Sequence, residues 1–230
     1  GFSYVFSQVS RFKRGIIKMG RQNDKPGLEG GGPVDDLIRA VVFDDALQVV
    51  RRPPPLPAAD EVLIRLRLAG VCNTDLELMQ GYKQFSGALG HEFVGEIVEG
   101  PSEWQGRRVV GEINISCGEC DMCRHGMPTH CRTRRVLGIL NYDGAWAEYF
   151  RLPVQNLVAV PDSVPDEVAV FTEPLAAACQ ILEAGVIRPS DRVVILGAGK
   201  LGILAAQVIR LLGVDLAVVA RRERQAALLG

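Results

Sequence analysis

Four of the six cysteines in this 230-residue chain fall in one short run: Cys117, Cys120, Cys123 and Cys131, reading C-G-E-C-D-M-C-R-H-G-M-P-T-H-C. No other feature restricts the fold so tightly. Two x2 gaps and one longer loop can bring four sulfurs round a single ion, and thiolates bind zinc tetrahedrally at roughly 2.3 Å. Four thiolates leave no position for a substrate, so the segment reads as a structural zinc lobe. An iron–sulfur run would place its last cysteine at x3 and follow it with proline; here the gap is longer and Arg132 follows. A disulfide framework suits small secreted chains, and this chain is neither small nor led by an apolar signal segment. His125 and His130 could replace a sulfur, but four cysteines already complete the shell.

A composition of 47% hydrophobic residues with net charge −1 is that of an ordinary globular chain long enough to bury a core. Near-neutrality speaks against a nucleic-acid or anionic-membrane partner, and no apolar run is long enough to span a bilayer. Ligand-type cysteines imply a reducing compartment, most simply the cytoplasm. Residues 1–37 look foreign to the rest. Arg11, Lys13, Arg14, Lys18 and Arg21, with no acid among residues 1–21, resemble an organelle transit peptide. An upstream extension or expression remnant is the favoured reading, and Gly-Leu-Glu-Gly-Gly-Gly at 27–32 has linker composition.

From Leu37 the texture is β-rich. Runs at 38–43, 47–51 and 61–68 are separated by polar or proline-rich breaks that include Pro53-Pro54-Pro55. Residues 61–68 alternate as a half-buried strand, 75–80 form a short helix, and 92–99, 107–113 and 145–152 are further strands. The pattern predicts a β-barrel or sandwich over 38–160, with the zinc lobe inserted at 115–133. Near Pro161 the texture changes. Residues 166–185 have helical period, 191–196 form a buried-type strand, 203–212 a helix and 215–220 a second strand. The expected class is therefore α/β (α+β), with an incomplete doubly wound parallel-sheet domain over 161–230.

Between that strand and helix lies Gly197-Ala198-Gly199-Lys200-Leu201-Gly202, a G-x-G-x-x-G turn in the context that makes it informative. Gly197 permits the tight turn, Gly199 lets backbone approach a pyrophosphate, and Gly202 lets helix pack on strand. The helix start then offers free N–H groups to the phosphate. A glycine-lined packing turn is the plain alternative. An enzyme using NAD normally carries an acid about 20 residues later. This chain has Arg221 and Arg222 there, which could pair a 2′-phosphate, so NADP is favoured over NAD. Alternatively both arginines are a solvated helix start, and Glu223 binds the ribose.

Two further ligand types stand apart: Cys72 in Gly-Val-Cys-Asn-Thr-Asp at 70–75 and His91 in Gly-His-Glu-Phe-Val-Gly at 90–95. Taken singly, each is more often a core residue. Each follows a glycine where a side chain can face a cleft, and a catalytic zinc needs only three protein ligands. Glu173, followed by Pro174, could be the third.

In this order, residues 70–75, 90–95, the four-cysteine lobe, Glu173-Pro174 and residues 197–202 resemble the zinc-dependent medium-chain alcohol dehydrogenase family. The match runs from about Ile38 to the end of the chain. The resemblance implies a GroES-like catalytic domain joined to a Rossmann domain, with one catalytic and one structural zinc and NAD(P). It also implies a small alcohol, polyol, sugar or carbonyl substrate, and a homo-oligomer, dimer or tetramer, at full length. Residue by residue it makes Cys72, His91 and Glu173 ligands of the catalytic zinc. Glu92 becomes a glutamate that stands behind the ligands or binds the ion itself. Thr74 becomes the hydroxyl that relays the substrate proton, and Asp75 the acid that orients His91. Cys179 has no role in it and reads as core.

The resemblance also implies that the sequence stops after the second strand of the nucleotide domain, which leaves activity or inactivity of this span alone both open. A zinc-bearing binding module is the alternative from another class; the neutral charge and the glycine turn speak against it. A zinc deaminase would show H-x-E and P-C-x-x-C, whereas Glu92 directly follows His91 and Ser116 precedes Cys117.

Overall fold

The computed structural model describes residues 16–17 and 36–228; the rest of the expected N-terminal extension lies outside the described residues. In chain order the elements are β1 (Ile16–Ile17), β2 (Ile38–Asp44), β3 (Ala46–Arg52), β4 (Glu61–Gly70), α1 (Asn73–Leu78), β5 (Gly87–Ala88), β6 (Phe93–Glu99) and β7 (Arg108–Gly111). They continue with β8 (Asn114–Ile115), α2 (Asp121–Arg124), β9 (Arg135–Val136), β10 (Tyr149–Pro153), β11 (Leu157–Ala159) and α3 (Asp166–Ala169). After these come α4 (Thr172–Glu183), β12 (Arg192–Leu196), α5 (Lys200–Arg210), β13 (Asp215–Val219) and α6 (Glu223–Ala226). Two compact units divide between Val170 and Phe171.

The first unit is an antiparallel β structure. One sheet runs β1-β4-β6-β7-β11, with β10 also on β4, and a second runs β3-β2-β5. An Ala40–Ala147 bridge and the Val41 N–H donating to the Trp146 carbonyl at 2.7 Å tie β2 to the chain leading into β10. Phe93 and Phe150 meet edge-to-face, with centroids 4.8 Å apart, inside a core that includes Val62, Ile64, Ile97, Val109 and Leu152.

Alternation predicted a half-buried β4. The strand is instead covered on both faces, with Leu63 nearly as buried as Ile64, and it is paired along both edges, by β6 on one and by β1 and β10 on the other. Only Arg65 and Arg67 reach outward, and both end on acids: Glu96 for each, and Asp166 for Arg67. Glu61 is buried because its carboxylate takes the Tyr142 hydroxyl at 2.7 Å and Arg151 at 3.0 Å. Burial, then the Glu61 hydrogen bond, pushes the Tyr142 phenol above its usual range, so it stays a donor.

The lobe leaves through β8 and returns through β9, which pair antiparallel as Asn114–Val136 and Ile115–Arg135.

In the second unit β12 and β13 are parallel and in register, from Arg192–Asp215 to Leu196–Val219, with α5 as their crossover. Leu175 and Ala178 of α4 pack on Leu204 and Val208 of α5. The helix expected over 166–185 is two helices. Pro174 has no N–H and its ring would strike the carbonyl four residues back, at Val170. The chain therefore breaks there and restarts at Thr172, which puts Pro174 in a first turn, where it is tolerated.

Candidate metal centres and nucleotide turn

Register explains how Cys72 and His91 meet. Ala69 at the end of β4 pairs with Phe93 at the start of β6, and the Gly70 N–H donates to the Glu92 carbonyl at 2.9 Å. The residues just beyond β4 and just before β6 must therefore emerge side by side. Cys72 caps the start of α1, where its N–H donates to Asp75 Oδ2 at 2.8 Å. The other carboxylate oxygen of Asp75 lies 3.3 Å from His91 Nδ1, and both side chains are almost fully buried. One carboxylate thus caps the helix start and lies beside the imidazole. Thr74 Oγ1 lies 3.6 Å from Cys72 Sγ.

Donor atoms of Cys72, His91 and Glu92 lie within 4.8 Å of one another. A soft thiolate, an imidazole and a carboxylate within that span suit zinc, with ligand distances of about 2.0–2.3 Å. Glu173, the other carboxylate named from sequence, stands in the first turn of α4 in the second unit.

Sequence reasoning missed the support beneath His91. Gly90 has φ +92°, and a Cβ there would lie 2.1 Å from the Trp146 ring. The Trp146 indole N–H in turn donates to the Gly70 carbonyl at 3.0 Å. One side chain thereby holds both ligand-bearing turns. Gly90 carried a signal as a glycine before a candidate ligand; nothing in the sequence links it to Trp146.

The four lobe cysteines also form one group within 4.8 Å. The Sγ–Sγ separations are 3.5 Å for Cys117–Cys131, 3.5 Å for Cys120–Cys123 and 4.0 Å for Cys120–Cys131. A tetrahedron with metal–sulfur bonds of ~2.3 Å has edges of about 3.8 Å, so the sulfurs fit a zinc ion. Backbone N–H groups point at them: Cys117 to Cys131 Sγ at 3.3 Å and Cys120 to Cys117 Sγ at 3.4 Å. The Thr133 hydroxyl, then backbone N–H groups, pull the Cys117 thiol down to about 6. Burial, then the neighbouring Cys120, pushes Cys123 up to about 12. Opposed directions mark sulfurs competing to ionise, a competition a dication relieves. His125 Nδ1 sits 2.6 Å from the Asp121 carbonyl and His130 Nδ1 3.2 Å from Thr129 Oγ1, so each ring has a bond of its own outside the sulfur group. Arg132 clamps Asp121 bidentately at 2.7 Å.

In the nucleotide turn, Gly197 has φ +108°, and its N–H donates to the Val219 carbonyl at 3.0 Å. A Cβ on Gly202 would lie 2.0 Å from the Gly197 carbonyl, so helix and turn approach closer than any side chain permits. Around Gly197 and Gly199 there is open space. Lys200 and Leu201 begin α5 directly after Gly199, its N-cap. This strand–turn–helix geometry fits a pyrophosphate. Arg221 and Arg222 are exposed just after β13, Arg222 capping α6, with Glu223 in its first turn.

A β unit that pairs a mixed thiolate–imidazole–carboxylate group with a four-sulfur lobe, followed by a glycine-turn βαβ unit, defines a class. Residues 58–162 match the family description "Alcohol dehydrogenase GroES-like domain", and the chain resembles the zinc-dependent medium-chain alcohol dehydrogenases. L-threonine 3-dehydrogenase of Xanthomonas oryzae pv. oryzae (strain MAFF 311018) is 40% identical over 179 residues, covering 73% of this chain and 52% of that protein. An alcohol dehydrogenase of Escherichia coli CFT073 complexed with NADH superposes with TM-score 0.78 at 30% identity, covering 84% of this chain and 59% of that one. A putative zinc-binding dehydrogenase of Sinorhizobium meliloti 1021 bound to NADP gives TM-score 0.77 at 31% identity, covering 85% and 59%. The chain spans about half the length of the curated relatives it matches.

Proposed function

We propose that the protein is a zinc-dependent oxidoreductase that moves hydride between a small alcohol, polyol or sugar hydroxyl, or its carbonyl counterpart, and NAD(P). One observation carries this: Cys72, His91 and Glu92, from two separate turns, bring their donor atoms within 4.8 Å of each other. In the proposal Cys72 and His91 hold the catalytic ion, and Glu173 or Glu92 supplies the third bond. A cation there supplies Lewis acidity toward a bound oxygen, and the dinucleotide carries the hydride. The chain's own residues do the rest. Thr74, beside Cys72, takes the substrate hydroxyl proton and hands it toward solvent. Asp75 keeps the His91 ring turned so that its far nitrogen faces the ion. Gly197, Gly199, Lys200, Leu201 and Gly202 seat the pyrophosphate. Arg221 and Arg222 favour the 2′-phosphate of NADP, and the lobe's second zinc is structural. A small-molecule substrate and a second copy of the enzyme are the partners this reading implies, and the cytoplasm is the proposed compartment.

Cys72→Ser in the intact enzyme tests the assignment. Metal content by mass spectrometry is expected to fall to the lobe's zinc alone, with alcohol oxidation abolished; retained turnover sinks the proposal. Comparing Glu173→Ala with Glu92→Ala in the same assay identifies the third ligand as the one whose loss releases metal. Parallel assays with NAD and NADP test the arginines.

A further inference from the structure

Residues 51–57 read Arg-Arg-Pro-Pro-Pro-Leu-Pro and belong to neither metal centre. Arg51 and Arg52 end β3, and residues 53–58 have no helix or strand. Proline fixes φ near −65°, and a residue before proline is driven to extended or polyproline ψ. Every residue from Arg52 to Pro57 falls under one or both constraints, so the segment has a left-handed polyproline II helix of three residues per turn as its natural form.

Such a helix has three faces, and the protein uses one. Arg52 bonds Asp143 Oδ2 at 2.7 Å, Arg52, Pro55 and the edge of Leu56 border an open cleft with Phe150 and Arg151, and the Ala58 N–H donates to Glu61 Oε2 at 3.0 Å. Arg52 and Pro55, three positions apart, turn toward the body of the unit, while Ala58 is held by its backbone and stays exposed. Beyond that face Arg51 and Pro53 are exposed, Leu56 is 85% exposed, and Pro54 and Pro57 are half-buried. An apolar side chain so open, on a backbone already ordered, costs little entropy to bind.

We infer that residues 51–57 are a docking ligand for an SH3-type domain, a module whose aromatic-lined grooves read prolines spaced at P-x-x-P. Its two apolar slots would take Pro53-Pro54 and Leu56-Pro57, and an acid beside them would take Arg51. The two positions such a groove leaves unread, Arg52 and Pro55, are those the protein holds against itself. The segment is thus anchored through Arg52 and Pro55 and keeps Arg51, Pro53 and most of Leu56 open to a partner.

The test uses a purified SH3 domain selective for R-x-x-P-x-x-P ligands, titrated calorimetrically against the folded chain and against a synthetic peptide of residues 48–60. Both are expected to bind, the folded chain at least as tightly. Leu56→Ala and Arg51→Glu are each expected to weaken binding by about tenfold or more. Asp143→Asn, off the presented faces, is expected to leave it within about twofold. Circular dichroism confirms that each variant folds. Binding by the peptide but not by the folded chain would show the faces closed and overturn the inference. So would absence of binding by both, or binding indifferent to Leu56 and Arg51.

Discussion

Asp75 does two jobs with one carboxylate. Oδ2 accepts the Cys72 N–H and Oδ1 faces His91 Nδ1, in a place with no solvent. Asp75→Asn keeps the shape but replaces one acceptor with a donor, so either the cap or the imidazole loses its partner. Zinc affinity at this centre is expected to fall ~10–100-fold, measured by chelator competition, while the lobe keeps its metal. The residue types at this scale were readable from sequence, because few side chains bind zinc and their spacing is restrictive. Trp146 was not. Its role depends on an indole filling the space above Gly90 and reaching Gly70, which no local pattern encodes. Burial of Glu61 was equally invisible, since Tyr142 and Arg151, which stabilise it, are distant in sequence.

Among the elements, α3 is short but firmly tied. Asp166 accepts from Arg67 at 2.8 Å and Arg108 at 2.8 Å, and Arg108 also bonds the carbonyls of Pro161 and Val164. Burial by itself would raise the Asp166 carboxyl, but the hydrogen bonds and charges of Arg67, then Arg108, outweigh it and hold the group below its ordinary value. A carboxyl depressed in the folded state stabilises above its unfolded pKa of about 3.9 and loses that contribution as pH falls through the folded value. The urea midpoint of the first unit is therefore expected to drop between pH 5 and pH 3 by the values typical of carboxylates, roughly, and Asp166→Asn to flatten that slope. Strands and the βαβ unit were legible as periods of two and about 3.6 residues. The helix at 166–185 was legible in period but not in continuity: its break follows from Pro174 and the Val170 carbonyl, a steric fact that periodicity does not register.

For the molecule as a whole, the exposed face of β12 and β13 matters most. Val194, Leu196 and Val219 share it, and Leu196 is 83% exposed. An apolar face, on strands that each have one paired edge among the described residues, favours self-association. The 230-residue span in isolation is expected to scatter light increasingly with concentration, and Val194→Lys with Leu196→Lys to reduce that scattering while far-ultraviolet circular dichroism is retained. Two units were visible as a change from β-rich to alternating texture near Pro161, whereas the compact units divide at Val170, because α3 is tied to the first unit by ion pairs rather than by apolar period.

The β8–β9 pair gives the sulfur lobe a narrow neck. Asn114 faces Val136 across it, and the Leu137 N–H returns at once to the Ile113 carbonyl. The next residue, Gly138, rests on the Gly90 backbone below His91. That path runs through the neck and not through the lobe, so joining Ile115 to Arg135 by a tight turn would remove the appendage while leaving Gly138 seated against the turn that carries His91.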